Sequence, residues 1–328
     1  MTRSDGRALL LLGPGVVGWL LLARSGNVHL LTDTLASGYA GLIKPWKPFV
    51  AIITALLVWE KLRPVEVRSP VNASAGEDLW WFVSAPLFNA ALSFAAMLAV
   101  DTIYTRLLGG HVVIPGMVGW PWILRAIIGF VLSDMLFYWS HVARHRIPLL
   151  WRFHSIHHEQ SSMSMLTSSR NHPVDAMLSV LTIFTVFRLI GLPNDVGVVA
   201  AFAIGIHSYA VHANVRSSFG LVGRFVISPQ WHRVHHSTNP AHFDRNFGGN
   251  LTIWDHLFGT ALKDTTLYPA TGFKPNASDA DARLYGPRHF GASLTRPFRN
   301  PTATIFATSR VSGSSSTATR GIPPTSIV

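Results

Sequence analysis

The stretch WRFHSIHHEQ, residues 151–160, places three histidines within five positions, and WHRVHHST, residues 231–238, repeats the spacing H-x-x-H-H. The chain has 328 residues and 16 histidines, six of which lie in these two boxes. On a helix, side chains at i, i+3 and i+4 form a compact patch, so several imidazoles can point at one centre. Neutral imidazole is a common ligand of iron, zinc and copper. The repeated boxes therefore predict a metal site.

The composition indicates that much of the chain faces lipid. Charged residues make up 13% of the chain, about half the usual share, whereas 48% of the residues are apolar. The net charge is +11, and the arginines lie mostly in short loops between apolar runs, which fits cytosolic loops near anionic headgroups. No nucleic-acid motif accompanies this charge, so we expect no nucleic-acid partner. The chain has no cysteine, which excludes thiolate ligands and leaves nitrogen or oxygen to bind a metal.

Six apolar stretches approach the roughly 20 residues that cross a bilayer and predict four to six membrane spans. They are Ala8–Ala23, Pro48–Trp59, Leu79–Val100, Val118–Ser140, Ala176–Leu192 and Val196–Ala213. The first resembles a signal peptide or an anchor, and the lack of a clear cleavage site favours a retained anchor. The last two are joined by a short turn, which predicts a membrane hairpin. The segment Asn250–Ala261 is amphipathic but too short to cross.

A third histidine group, which is a pair, indicates how many ions the chain can bind. His141 and His145 are spaced i, i+4 just after the fourth apolar stretch. An even number of crossings separates the two H-x-x-H-H boxes, so all three groups are expected on one side, which we assign to the cytosol. Eight imidazoles exceed the ligands of one ion, which predicts two ions. The fold class predicted is an all-α, multi-pass membrane helical bundle with a cytosolic, histidine-rich helical cap that holds a dimetal site.

The order H-x3-H, H-x2-H-H and H-x2-H-H around a membrane hairpin resembles the fatty acid hydroxylase and sterol desaturase superfamily of integral-membrane di-iron oxygenases. The resemblance covers roughly residues 79–262. The stretch SPQWHRVHHSTNPAHFDRNFGGNLTIWDHLFGT, residues 228–260, is similar to the last box of the bacterial sterol-desaturase-like and alkylglycerol monooxygenase branches. The resemblance implies a catalytic domain at 76–265. The first apolar stretches predict N-terminal anchor segments and a loop at 1–75, and a composition rich in Ser, Thr, Pro and Gly predicts a largely disordered extension at 266–328.

The resemblance also implies which histidines are metal ligands. They are His141, His145, His154, His157, His158, His212, His232, His235 and His236. His207 and His172 are further candidates for a metal-binding or substrate-side position. The spacing at His207 is one residue longer than in the hydroxylase branch. The alternative for His172 is a helix start with Pro173 in the first turn.

Asp134 is the acidic residue of the fourth apolar stretch, where a charge is costly and therefore suggests a function. It precedes His141 and His145 at spacings that keep all three on one helical face. We predict that its carboxylate accepts the free ring N–H of a ligating histidine. Asn246 and Asp255 are further candidates to support the ligands, and Asp175, His242 and His256 are weaker ones.

The function that the resemblance implies is O2-dependent hydroxylation or desaturation at a C–H bond of a membrane lipid (a sterol, a fatty acyl chain or an ether lipid). The implied cofactor is two iron ions, cycling between Fe2+ and Fe3+, with zinc as the expected substitute in isolated or crystallised protein. Electrons are expected from a separate ferredoxin or cytochrome b5 type donor. The alternative is a membrane metal-binding or metal-transport protein. Transport sites usually lie at mid-membrane, whereas most of these histidines lie outside the spans. A zinc peptidase is excluded because Ser162 stands where H-E-x-x-H needs its second histidine.

Overall fold

The computed structural model describes residues 46–67, 73–108, 117, 119–192 and 194–272. These residues form α-helices joined by loops and short 3-10 helices, and they contain isolated bridges but no strand. The α-helices are α1 (Trp46–Leu62), α2 (Ala73–Leu108), α3 (Trp122–Arg146), α4 (Pro148–His158), α5 (Pro173–Leu189), α6 (Asn194–His212), α7 (Pro229–His235) and α8 (Ile253–Leu257). The all-α class is therefore confirmed for the described part of the chain.

Every predicted apolar stretch within these residues forms a helix, namely α1, α2, α3, α5 and α6. Among the described residues, α3 is the helix that is long and apolar enough to cross a membrane, and Val199–His212 is a shorter apolar helical segment. The predicted anchor at Ala8–Ala23 and the predicted tail lie outside the described residues. The number of spans, the domain boundaries and the cytosolic side of the boxes stay predictions.

A sharp break between α3 and α4 brings the first two histidine groups together. Ile147 separates the helices with extended backbone angles, φ −96° and ψ 117°. The next residue is Pro148, whose ring disfavours the helical conformation for the residue before it. Proline is accepted at the first position of the new helix because that N–H has no intrahelical partner. The chain therefore turns after His145 and returns His154 toward the end of α3.

Capping side chains define where α7 and α5 begin. The Ser228 hydroxyl accepts a hydrogen bond from the Trp231 N–H at 3.2 Å, and Pro229 occupies the first turn of α7. His172 caps the amino end of α5, where its Nδ1 accepts from the Val174 N–H at 3.1 Å. These caps fix the first turn of the helix that carries the last box and of the helix that carries Asp175.

A buried ionic network ties the start of α2 to the end of α4. The Arg170 guanidinium, which is buried, pairs with the carboxylates of Glu77, Asp78 and Glu159. Its Nε also donates to the Ile156 carbonyl oxygen at 3.3 Å. Glu159 follows directly after the last histidine of the second box. The network therefore holds the carboxyl end of α4 in place beside α2.

Candidate metal centre

Nine histidines lie in two adjacent clusters, and within each cluster one ligand nitrogen per residue lies within 4.8 Å of all the others. We call the clusters site A and site B. Site A comprises His141, His145, His154, His158 and His235, and site B comprises His157, His212, His232 and His236. These nine are the histidines that the sequence predicts as ligands. The described structure brings all of them together, although they come from four separate helices.

The two H-x-x-H-H boxes are divided between the sites in opposite ways. The first box contributes its first and third histidines to site A and its middle one to site B, and the second box does the reverse. Successive residues of a helix are rotated by about 100°, so i+3 and i+4 share a face with i but lie on opposite sides of it, and their side chains can reach different ions. Each box therefore serves both sites, and the sites share a common wall.

All four helices present histidines at or near a carboxyl end. His141 and His145 lie in the last turns of α3, and His157 and His158 end α4. His212 is the last residue of α6, and His235 is the last residue of α7. Both α3 and α6 are apolar helices. The clusters therefore form where these apolar helices end.

Four of the rings have their outer nitrogen fixed by an oxygen acceptor. The Nδ1 atoms of His141, His212 and His235 face the carbonyl oxygens of Phe247, Ser208 and Arg245 at 2.8, 2.6 and 2.9 Å. The Nδ1 of His154 faces Asp175 Oδ2 at 2.9 Å. A carbonyl or carboxylate oxygen only accepts, so each Nδ1 carries the proton and donates. In the neutral ring Nε2 is then a bare lone pair directed into the site.

These tautomers provide a test of whether a cation fits. The Nε2 atoms of His141 and His154 lie 3.1 Å apart, and with both outer nitrogens protonated neither has a proton to share. The Nε2 atoms of His145 and His235 are buried and have no hydrogen-bond partner among the described residues. Converging bare lone pairs repel one another unless a cation lies between them. The arrangement therefore fits metal ions held by nitrogen ligands.

Burial keeps five of the six imidazoles of the boxes neutral. For His157, His158, His232 and His236, burial is the main cause that places the pKa well below its ordinary value, and neighbouring histidines lower it further. Burial likewise lowers the pKa of His235 to about 3, against the opposing effect of its hydrogen bond to the Arg245 carbonyl. Neutral imidazole is the form that binds metal. The apoprotein therefore presents these ligands deprotonated at pH 7.

Asp175 supports site A through a buried triad. Its Oδ2 accepts from His154 Nδ1, and its Oδ1 pairs with Arg144 Nε at 3.1 Å. Arg144 also donates to the Ser179 hydroxyl at 2.9 Å. A carboxylate that accepts the outer N–H of a ligand fixes the ring and raises its basicity. Asp175 therefore has the role that the sequence assigned to Asp134.

Asp134 does something different, and the prediction that it accepts from a ligating histidine is wrong. Its carboxylate accepts four N–H groups, from the backbone and side chain of Asn250, the Leu251 backbone and the Trp254 indole, at 2.9–3.0 Å. It shares the buried side of α3 with His141, as predicted, but the loop 246–254 lies against it. Asp134 therefore anchors that loop to α3.

Asp255 and Asn246 support the ligands through the backbone. Asp255 accepts from the backbone N–H groups of Phe247 and Gly248 and from the Trp231 indole. Burial raises the pKa of the Asp255 carboxyl, and these hydrogen bonds oppose the rise. Asn246, in the left-handed region at φ 59°, donates to the Trp231 carbonyl. The Phe247 carbonyl accepts from the ligand His141. Asp255, bonded to the Phe247 N–H, and Asn246, the preceding residue, therefore help to hold that carbonyl in place.

The remaining candidate histidines lie outside both clusters. His207 faces Asn250 Oδ1 at 2.9 Å and the Ile227 carbonyl at 3.0 Å, so it links α6 to two loops. His172 caps α5, as its alternative interpretation describes. His242 faces the Ser237 hydroxyl, and His256 is exposed beside Trp231.

Sequence reasoning missed the backbone acceptors and the Arg170 network. Every residue type has a backbone carbonyl, so the sequence cannot show that the carbonyls of Phe247, Arg245 and Ser208 accept from ligands. Arg170 carries a weak one, because an arginine beside the NHPVD element needs acidic partners when buried. Those partners, at positions 77, 78 and 159, become visible only in the fold.

Comparison with known proteins confirms the resemblance. Residues 126–260 match the family model described as fatty acid hydroxylase. The ornithine lipid hydroxylase OlsE of Rhizobium tropici is 31% identical over 185 residues, 55% of this chain and 52% of that protein. The alkylglycerol monooxygenase of Danio rerio is 30% identical over 154 residues, 46% of this chain and 33% of that protein.

A more distant relative is the lathosterol oxidase of Mus musculus, which is 25% identical over 143 residues, 43% of this chain and 46% of that protein. The chain thus spans about half or less of the length of these curated relatives. No solved structure gives a significant match.

Proposed function

We propose that this chain, which carries a fatty acid hydroxylase domain at residues 126–260, is an O2-dependent di-iron oxidoreductase that hydroxylates or desaturates a membrane lipid. The observation that carries the proposal is the pair of adjacent, all-imidazole clusters inside the matched region. The relatives named above are a lipid hydroxylase, a monooxygenase and a sterol oxidase. Their names share oxidation of a lipid and differ in the lipid, so the substrate is proposed as a class.

The five histidines of site A would hold one ion and the four of site B a second. Two bound iron ions would supply the activation of O2 that an unactivated C–H bond requires. In hydroxylation one oxygen atom enters the C–H bond and the other leaves as water, and in desaturation both leave as water. Either outcome needs electrons and protons from outside, for which we propose a separate donor of ferredoxin or cytochrome b5 type.

The chain's own residues prepare the ligands for this task. Asp175 and the carbonyl oxygens of Phe247, Ser208 and Arg245 hold protons at Nδ1, which leaves Nε2 free to bind. The Phe247 ring lies within 5.7 Å, between centroids, of the site A rings of His141, His145 and His235. An apolar wall of this kind limits water and lowers the local dielectric at the ligands.

The apolar helices would bring a membrane lipid near the site. Site A includes the last histidines of α3 and site B the last histidine of α6. If α3 crosses the bilayer, the ions lie where its apolar surface ends. A lipid in that leaflet would then reach the site without its apolar part entering water.

Metal transport is supported less well. A transport pathway needs ligands spread along a route across the membrane. Here eight of the nine histidines are buried and His145 is half-buried, in two adjacent clusters, with four outer nitrogens fixed by oxygen acceptors. Rigid, satisfied ligands favour tight retention over release.

The test is product formation in the full-length protein. The chain is expressed in membranes with a ferredoxin or cytochrome b5 reductant system and supplied with 18O2, and lipid extracts are compared by mass spectrometry with those of His157→Ala. His256→Ala, an exposed histidine outside both clusters, is the control. We expect an 18O-labelled or newly unsaturated lipid with the native chain and the control only. A product that persists in His157→Ala refutes the proposal.

A further inference from the structure

Two short segments outside the long helices expose an unusual set of large apolar side chains. They belong to the loop around the 3-10 helix Val222–Arg224 and to α8. Leu221, Val222, Phe225, Ile253 and Leu257 are each 54–73% exposed. We call these five residues the apolar lobe. Apolar surface gathered in one place usually marks an interaction site, whereas single exposed apolar residues are ordinary.

Backbone hydrogen bonds join the two segments into one surface. The Thr252 N–H donates to the Phe225 carbonyl at 3.0 Å, and its hydroxyl donates to the Arg224 carbonyl at 2.6 Å. The Ile227 N–H donates to the Asn250 carbonyl at 2.8 Å. Ile253 and Leu257 are spaced i, i+4 and share one face of α8. The apolar lobe is therefore a fixed feature of the fold.

The lobe lies beside the middle of α3. Asp134 accepts hydrogen bonds from Asn250, Leu251 and Trp254, which adjoin Ile253. Asp134 is seven residues before His141, or about 10 Å along the axis toward the amino end of α3. The segment that carries the lobe therefore reaches below the level of the metal clusters, along the apolar part of α3.

The lobe also continues the exposed surface of α3. The Phe258 ring, one residue after Leu257, lies 4.7 Å from the Trp139 ring between centroids, and Trp139 is itself exposed. Leu136, one turn earlier on α3, is exposed as well. The exposed side of α3 that would face lipid thus adjoins the lobe through the contact between Trp139 and Phe258. Arg224 is exposed on the same 3-10 turn and can reach a lipid phosphate.

We propose that the apolar lobe inserts into the bilayer leaflet next to the metal clusters, where its side chains contact acyl chains while Arg224 stays at the headgroups. The proposal rests on α3 crossing the membrane, as in the proposed function. The short α8 cannot span, so the lobe lies in the leaflet as an interfacial element. It would hold the loop 246–258, and with it the carbonyl that accepts from His141, at a fixed depth.

The chain has no cysteine, so single-cysteine variants report on chosen positions without background. Leu257→Cys, Phe225→Cys and Val222→Cys are labelled with an environment-sensitive NBD dye in the full-length protein. The protein is placed in phosphatidylcholine and phosphatidylglycerol vesicles with or without doxyl-labelled lipid. Ile127→Cys, exposed on α3, reports membrane crossing, and Thr265→Cys, exposed beyond α8, reports water. Three lobe positions keep the test valid if one variant fails to fold.

We expect blue-shifted emission at the lobe positions and loss of at least half of it with doxyl lipid, as at Ile127, with little quenching at Thr265. Quenching at Ile127 without quenching at the lobe overturns this proposal and leaves the membrane placement of α3 intact. Absence of quenching at Ile127 as well refutes that placement, and the proposal with it. A blue shift at the lobe that doxyl lipid does not quench indicates contact with a second copy of the chain and also overturns the proposal.

Discussion

The imidazole rings of His158 and His236 stack, with centroids 4.2 Å apart and planes 18° apart, although one belongs to site A and the other to site B. Each is the last histidine of its H-x-x-H-H box. The two boxes therefore meet at their ends and form the wall between the sites. Loss of either ring should weaken metal binding at its own site by removing a ligand. It should also weaken metal binding at the other site by removing the ring that the remaining histidine stacks on.

Replacement of His158 or His236 by alanine should change the iron content of the purified protein. We expect about two ions per chain in the native protein and a loss of at least one in each variant, because each substitution removes a ligand and a neighbouring ring. Iron is measured by mass spectrometry of protein purified in parallel, with His256→Ala as the control. Native iron content in both variants would contradict the ligand assignment.

Histidine spacing pointed to the three histidine groups, and the family resemblance implied that they and His212 are ligands. The division of the boxes between two sites was not predictable. The nine predicted ligands are the nine that converge. Spacing shows which side chains share a helical face, but it does not show how two helices cross. The exchange of the middle histidine of each box depends on how α4 faces α7, which is a tertiary relationship. The all-α class was predictable for a related reason, because long apolar runs demand helices.

Asp134 shows where such reasoning fails. A carboxylate on the histidine face of α3 has the right position along the helix to reach a ligand. The loop 246–254 competes for it with four N–H donors, which satisfy the carboxylate fully. The carboxylate that accepts from a ligating histidine is instead that of Asp175, which lies on α5 and is bonded to His154. Which acid meets which histidine is decided by packing.

Asp175→Asn should weaken metal binding and stability together. The amide loses the charge that pairs with the buried Arg144, and its NH2 group can donate to His154 Nδ1, which favours the tautomer with the proton on Nε2. We expect about 10- to 100-fold weaker binding at site A and a loss of about 3–5 kcal/mol in the free energy of unfolding. Metal titration and thermal unfolding in detergent measure both. The exposed Asp264→Asn is the control, and equal affinity in the two variants would contradict the role of Asp175.

Acid should destabilise the metal-free protein. The pKa of His235 is about 3 in the folded chain and about 6.5 when unfolded. Between these values the unfolded chain binds a proton that the folded chain does not, so the free energy of unfolding rises with pH and levels off above about 6.5. From pH 7 to pH 5 we expect a loss of about 2 kcal/mol from His235 alone.

Thermal unfolding of the chelator-treated protein at pH 5, 6 and 7 measures this dependence. The direction of the pKa shift is the same for His157, His158, His232 and His236, which add to the slope. His235→Gln, which does not titrate, should show a shallower slope than the native chain. A stability that does not change between pH 5 and pH 7 would show that these rings are not buried as neutral groups.

Gly249→Ala should destabilise the loop that supports site A. A Cβ at Gly249 would lie 2.6 Å from Cδ1 and 2.9 Å from Cε1 of Phe137, and 3.3 Å from Oδ1 of Asp134. Phe137 cannot yield freely, because its ring lies beside His141 and under the Arg144 guanidinium. Overpacking of this kind costs about 1–3 kcal/mol.

The matched control is Gly205→Ala in α6, where no atom outside the helix's own nearby backbone lies within 4 Å of the new Cβ. There alanine should raise the free energy of unfolding by about 0.5–1 kcal/mol. Thermal unfolding in detergent distinguishes the two, and a Tm for Gly249→Ala at or above the native value would show that the loop does not lie against α3 as described.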